Sequence, residues 1–400
     1  MKRLDLSRRK WLSLRAENEA RRHGKKGGGR RWAAKFDTPG MRSVSRVQIW
    51  EGGDPEWAIC LSKPIIPPSL LCFDRNRAAS FAWFERLRRS SQNAIDKGVP
   101  FVERSSRPGA LPQISGYFDF SKLKEISTAA AVVLAAEYER IGKLLHIVPP
   151  TVELDKWHDA VFAKLYQIGF FEIVGLTPPL KNLVLEEEKK QTMRIVSSKN
   201  SDDLETIDKS LQQLGKFLSP DQALPEKIII EFLTGLSEAI SNVTNHAYGN
   251  GIPLPYDHIE SLWVAATADR DANSLTVVVY DQGATIPATY PRLDRLKKVV
   301  RFLALALKPD KKFEYEDDGT YIRAAMRYGG SRTDEKHRGK GLPQMFETLQ
   351  KIGPGILTIY SRGGWCRQTT HGKRLSSGSL SHSIGGTLVE WSVQLSDIRS

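Results

Sequence analysis

Cysteine is scarce in this chain: Cys60, Cys72 and Cys366 are the only three in 400 residues. No two form a Cys-x-x-Cys pair and none has a histidine neighbour at zinc-ligand spacing. Neither a disulfide framework nor a metal knuckle is indicated, and the three read as reduced thiols. Long apolar runs are also missing. The longest patches, such as residues 129–136, fall well short of the roughly 18–20 apolar residues that span a bilayer. No apolar segment follows the basic amino terminus, which speaks against a secretory signal, so a cytosolic protein without a membrane partner is expected. The chain lacks the Gly-x-x-x-x-Gly-Lys-Ser/Thr spacing of a P-loop, a coiled-coil heptad and a repeat of fixed period. A homodimer stays open. A length of 400 residues with 40% hydrophobic composition suits a globular protein of two or three domains, each with its own core.

What the chain has in excess is positive charge, and most of it lies at one end. The formal net charge is +13, yet residues 1–35 hold 13 Lys or Arg against 3 acids, a net +10, leaving +3 for the remaining 365 residues. Such a Gly-containing cationic arm buries too little apolar surface to order itself. It reads either as a solvated tail or as an arm docking on nucleic acid or a protein partner.

Residues 36–110 are irregular in pattern. Within them residues 80–89 form a helical stretch with Phe81, Phe84 and Leu87 on one stripe and Arg86, Arg88 and Arg89 outside it. That helix either packs on a neighbouring core or presents its basic side to nucleic acid. In residues 111–180, strands are expected at 117–120, 146–148 and 170–174, with helices at 128–141 and 155–168 between them, as in a small α/β domain with crossover helices. Residues 181–222 form a charged connector with a strand near 193–196 and a helix over 202–217. Residues 223–400 form the last domain. There, residues 224–248 read as one long helix, residues 262–266, 275–280, 355–360 and 387–393 as strands, residues 293–307 as a cationic helix, and residues 375–383 as a Ser-rich loop.

Four segments of the last domain occur in a telling order: Glu238-Ala-Ile-Ser-Asn242-Val-Thr-Asn-His246-Ala247, Asp281-Gln-Gly283-Ala-Thr-Ile286, Gly339-Lys340-Gly341-Leu342 and Gly385-Gly386-Thr387. Together they resemble the N box, G1 box, G2 box and closing Gly-Thr of the GHKL ATP-binding fold, with Thr285 in place of the second G1 glycine. Phe118-Asp119-Phe120-Ser121, followed by Ile126-Ser127-Thr128-Ala129, more weakly resembles a STAS domain. There either hydroxyl of Ser127-Thr128 serves as a helix N-cap or as a phosphoacceptor. The fold implied is α+β (an α/β sandwich): a carboxy-terminal Bergerat fold with helices on one face of a mixed sheet, preceded by a STAS-like α/β domain.

Glu238 and Asn242 are four residues apart, so on a helix they share a face. The resemblance assigns Asn242 to Mg²⁺ and Glu238 to general base, with an amide oxygen able to ligate the metal and a carboxylate one turn earlier able to orient water on the γ-phosphate. It places His246 on the same face and gives Asp281 the adenine amine, with Gly283 and Ile286 beside the base. It further makes Gly339, Lys340, Gly341 and Leu342 part of a phosphate lid, Arg332 and Arg338 γ-phosphate contacts, and Thr387 a hydroxyl near Asp281. ATP and Mg²⁺ are thus the expected ligands. The function implied is a slow ATPase acting as a regulatory switch. Alternatives are a serine/threonine protein kinase of the anti-sigma-factor type and a non-catalytic nucleotide sensor docking on DNA or protein.

Overall fold

The computed structural model describes residues 45–98, 100–179, 189–199, 203–219, 225–248, 251–252, 254–290, 318–328, 341–372 and 375–395. Residues 47–400 make one compact unit, and of the preceding unit, residues 1–46, only Ser45 and Arg46 are described. The arm, the helix expected at 293–307 and the lid residues Arg332, Arg338, Gly339 and Lys340 lie outside the described residues.

The elements run β1 (Arg46–Glu51), β2 (Asp54–Cys60), β3 (Leu70–Leu71), α1 (Arg77–Lys97), β4 (Val102–Glu103), β5 (Gln113–Ile114), β6 (Glu125–Ile126), α2 (Thr128–Leu145), β7 (Thr151–Val152), α3 (Asp159–Gln167) and α4 (Phe170–Ile173). They continue with β8 (Lys190–Thr192), β9 (Val196–Ser198), α5 (Leu204–Leu218), α6 (Glu226–Asn242), β10 (Leu262–Asp269), β11 (Ser274–Asp281) and α7 (Ile286–Thr289). The last are α8 (Asp318–Tyr328), α9 (Gly341–Ile352), β12 (Gly355–Ser361), β13 (Gly364–Thr369), β14 (Ser376–Ser379) and β15 (Thr387–Gln394).

The main sheet has the order β14-β13-β12-β15-β11-β10-β8, with β9 also on β10, and every described pairing in it is antiparallel. The expectation of a mixed sheet is therefore corrected. Short turns join β10 to β11 and β12 to β13, which brings consecutive strands back beside each other with no crossover. Residues 376–379, expected in a loop, pair with β13 as the edge strand β14.

Helices cover both faces of this sheet, not one. Cross-strand register sets Trp263, Tyr280, Leu388, Tyr360 and Trp365 in one row. Period-two alternation then sends Ala266, Val277, Trp391 and Leu357 to the opposite face. The first row meets α1 and α2: Arg88 of α1 donates to the Tyr280 hydroxyl at 3.2 Å, and Trp263 Nε1 donates to Glu139 of α2 at 2.6 Å. The second face meets α6 and α9, where Gly235 of α6 lies against Thr348 of α9 and the Trp391 ring. One apolar core runs through both layers, from Phe81, Phe84 and the Ala-rich α2 to Val277, Leu349 and Trp391.

Residues 111–180 do not build the expected crossover domain. Their strands β5, β6 and β7 are two residues each and pair with β2, β3 and β1 of the preceding segment. Residues 117–120 contribute only a bridge from Phe118 to Ile65. His146 ends α2 in a left-handed conformation where a strand was expected, and the apolar run at 170–173 is helical, entered through Gly169 at φ +84°. Short apolar runs carry no period that separates strand from helix, so the surrounding core decides.

Ser127 accepts a hydrogen bond from Ala130 N at 3.2 Å as the N-cap of α2, and the buried Thr128 hydroxyl shares a 2.8 Å hydrogen bond with that of Thr267. Both hydroxyls of the candidate switch are structurally engaged. Ser127→Ala is expected to cost about 1 kcal/mol, read as a lowered urea midpoint. Unchanged stability would contradict the capping role.

Candidate functional site

The site grows from the end of β11, where neighbouring side chains point to opposite faces. Tyr280 turns to α1 and α2, and Asp281 turns to the α6 side, only 5% exposed. Its Oδ1 accepts the Gly283 N–H at 2.8 Å. Burial pushes the Asp281 carboxyl up to about 7 against the opposing influence of the Gly283 and Thr387 backbone N–H groups. In register, Asp281 pairs with Thr387, and Thr387 with Ser361. The Thr387 and Ser361 hydroxyls share a 2.8 Å hydrogen bond, and Ser361 Oγ accepts from Ile286 N at 2.9 Å. Three strand ends thus gather Asp281, Gly283, Ile286 and Thr387.

The helical side is fixed by an irregularity. Residues 224–248 were expected as one helix, but α6 ends at Asn242 and Val243–Ala247 form a π-turn. His246 falls within this wider i→i+5 turn and is half-buried. The same turn presents the Ala247 carbonyl, which accepts from Ala284 N at 2.7 Å. A Cβ on Gly283 would stand 2.4 Å from that oxygen, so only glycine allows this approach. The glycine expected to admit the base closely therefore admits the helix end.

Asn242 meets Gly341 at the start of α9, where a Cβ would be 2.8 Å from Asn242 Nδ2. That Nδ2 is buried and has no hydrogen-bond partner. Glu238 lies one turn earlier on α6, half-buried. Leu342 and Ile286 pack on the small apolar cluster of Tyr290, Tyr321, Ala324 and Ala325, so Leu342 anchors α9 by apolar contact.

Among the described residues no cluster of three His, Cys, Asp or Glu is arranged to hold a metal. Mg²⁺ does not need one, because it keeps water and phosphate ligands and takes only one or two protein groups. Asn242 Oδ1 would supply such a ligand, while its buried, unpartnered Nδ2 is a donor suited to a phosphate oxygen.

Because the folded carboxyl of Asp281 titrates near 7, above the roughly 3.9 of an unfolded Asp, its contribution to stability is full below about pH 4 and is lost as pH rises through about 7. Asp281→Asn should remove this loss. The difference in thermal midpoint between variant and wild type is then expected to shift in favour of the variant between about pH 5 and about pH 8. A constant difference would contradict the burial of the acid.

Ser361 and the Ala247 carbonyl were not among the residues anticipated from sequence. A serine closing a strand carries no signal, and a backbone oxygen carries none at all. Neither a scan against protein-family models nor a comparison with curated proteins finds a match to this chain.

Proposed function

We propose that this chain binds ATP with Mg²⁺ in the hollow between α6, the start of α9 and the ends of β11 and β15, and hydrolyses it slowly, as a regulatory switch acting on a protein partner. The observation that carries this reading is Asp281: a buried acid at a strand end whose hydrogen bonds come from backbone N–H groups. Such a carboxylate accepts the exocyclic amine of adenine, and the carbonyl that guanine offers there brings no donor. The unpartnered Asn242 Nδ2 next to Gly341 is a donor that supports a phosphate end on the far side of the proposed site.

When bound, Mg²⁺ neutralises phosphate charge. Asn242 would hold it, and Glu238, one turn away, would orient the attacking water. The Bergerat resemblance of the sequence motifs agrees with this placement. Ser127 and Thr128, the candidate acceptors of the STAS-like segment, are engaged in hydrogen bonds within the fold, which favours hydrolysis over transfer to them.

Glu238→Ala is expected to keep nucleotide binding while phosphate release falls by about a hundredfold or more. Asn242→Ala should lose the Mg²⁺ dependence of binding. Calorimetry and a phosphate-release assay on the same samples read both. Equal turnover in wild type and Glu238→Ala would refute the base assignment, and label from γ-labelled ATP on a second polypeptide would replace hydrolysis by transfer.

A further inference from the structure

On the other face of the sheet, behind Asp281, lies a pocket of about 250 Å³ whose wall includes Arg88, Arg140, Gln282, Tyr256, Thr285 and Gly385. Gln282 follows Asp281 on the chain and points the opposite way, to Glu137 of α2, so this pocket lies on the face away from the Asp281 carboxylate.

The buried charge within this wall does not balance. Glu137 of α2 is fully buried and accepts from Arg88 Nε at 2.8 Å, from Arg88 Nη2, from Arg140 Nε at 3.1 Å and from Gln282 Nε2 at 3.2 Å. Burial opposes its charge, but Arg88 and then Arg140 outweigh it and hold the carboxyl below its usual range. Three of these donors converge on Oε1, and Arg140 Nε alone reaches Oε2. Arg140 Nη1 donates to the Asp257 carbonyl at 2.7 Å and to Gln92 at 3.3 Å. That leaves two buried guanidinium cations, 2% and 1% exposed, against one buried anion; the other carboxylate of the wall, Asp257, is exposed and accepts from Gln92 at 2.8 Å. Arg88 Nη1, Arg140 Nη2 and Gln282 Oε1 are all buried with no partner. Gln282 Nε2 must face Glu137, which fixes Oε1 on the opposite side of the amide. A buried unpaired cation and unsatisfied donors are strongly unfavourable, and a bound anion relieves both.

We infer that this pocket is a second ligand site, for a small molecule whose oxyanion, carboxylate or phosphate, accepts from Arg88 Nη1 and Arg140 Nη2 and whose own N–H or O–H donates to Gln282 Oε1. The pocket lies below the roughly 300–1,000 Å³ usual for ligand sites, so the occupant is smaller than a nucleotide. Ile252, Leu254 and Ala288 supply an apolar wall for its body.

Benzoate and phenyl phosphate share a body and differ in their oxyanion, so calorimetric titration of the full chain with each, in buffer free of other oxyanions, tests the two-arginine part of the site, which needs no donor to Gln282. Saturable one-to-one binding of either or both is expected, and the preferred one names the anion class. Arg140→Met, which leaves the Arg88–Glu137 pair balanced, should weaken binding at least about tenfold. Should that variant fail to fold, Ala288→Glu, which adds a carboxylate to the half-buried pocket wall, is expected to abolish binding. Binding of neither probe, or equal affinity in the folded variants, overturns the proposal. Glu238→Ala, in the other hollow, should leave it unchanged, which separates this site from the nucleotide reading.

Discussion

Glu137→Ala is expected to lower stability by about 3–5 kcal/mol, the largest effect of any single substitution considered for this fold. The carboxylate is fully buried and is the only side-chain carboxylate hydrogen-bonded to Arg88 and Arg140 in the described structure. Its removal leaves two buried guanidiniums facing each other with no anion, and takes the partner of Gln282 Nε2 as well. The cluster ties α1, α2 and β11 together, since Arg88 also donates to Tyr280. Urea midpoints measure the cost, and added benzoate or phenyl phosphate should restore part of it. A loss below about 1 kcal/mol would mean that the arginines find water when the acid is gone, and would contradict their burial.

Gly283→Ala is expected to cost the protein both stability and nucleotide. The added Cβ would sit 2.4 Å from the Ala247 oxygen and 2.6 Å from its Cβ, so the end of α6 must move away from β11. Overpacking of this kind costs about 1–3 kcal/mol, and weakening the bond from Ala284 N to the Ala247 carbonyl adds about 1 kcal/mol. The same shift separates Asn242 from Asp281, on opposite sides of the proposed hollow. ATP affinity should therefore fall at least about a hundredfold, roughly 2.7 kcal/mol. Thermal melting and calorimetry separate the two effects. A variant that melts earlier but binds ATP normally would place the nucleotide elsewhere.

The strands of the main sheet were legible because each is an apolar run of ordinary strand length bounded by turns: β10, β11, β12 and β15 stand where residues 262–266, 275–280, 355–360 and 387–393 place them. Asp281 and Thr387 could be set side by side in advance only through their motifs, and the structure puts them in register. What stayed hidden depends on long-range packing. Arg88 stands four residues after Phe84 and seven after Phe81, which puts it on the apolar stripe and not outside it, and the acid that accommodates its charge in the core, Glu137, comes some fifty residues later. One signal did exist. An acid and an arginine three residues apart, Glu137 and Arg140, interrupt the Ala- and Val-rich run of α2, where no solvent-facing stripe accounts for them. The π-turn at Val243–Ala247 has no such mark, because helical spacing reads the same until Gly283 dictates where the helix must end.

The most direct test of the account is calorimetric titration of the full chain with ATP and GTP in the presence of Mg²⁺, repeated below and above about pH 7 in buffers of different ionisation enthalpy. With Asp281 titrating near 7 in the free protein, an adenine amine that needs the ionised carboxylate must displace its proton. The account predicts ATP binding in preference to GTP, proton release approaching one per site below neutrality, affinity falling about tenfold for each pH unit further down, and loss of both signatures in Asp281→Asn. Binding without proton release, or equal affinity for ATP and GTP, would contradict it.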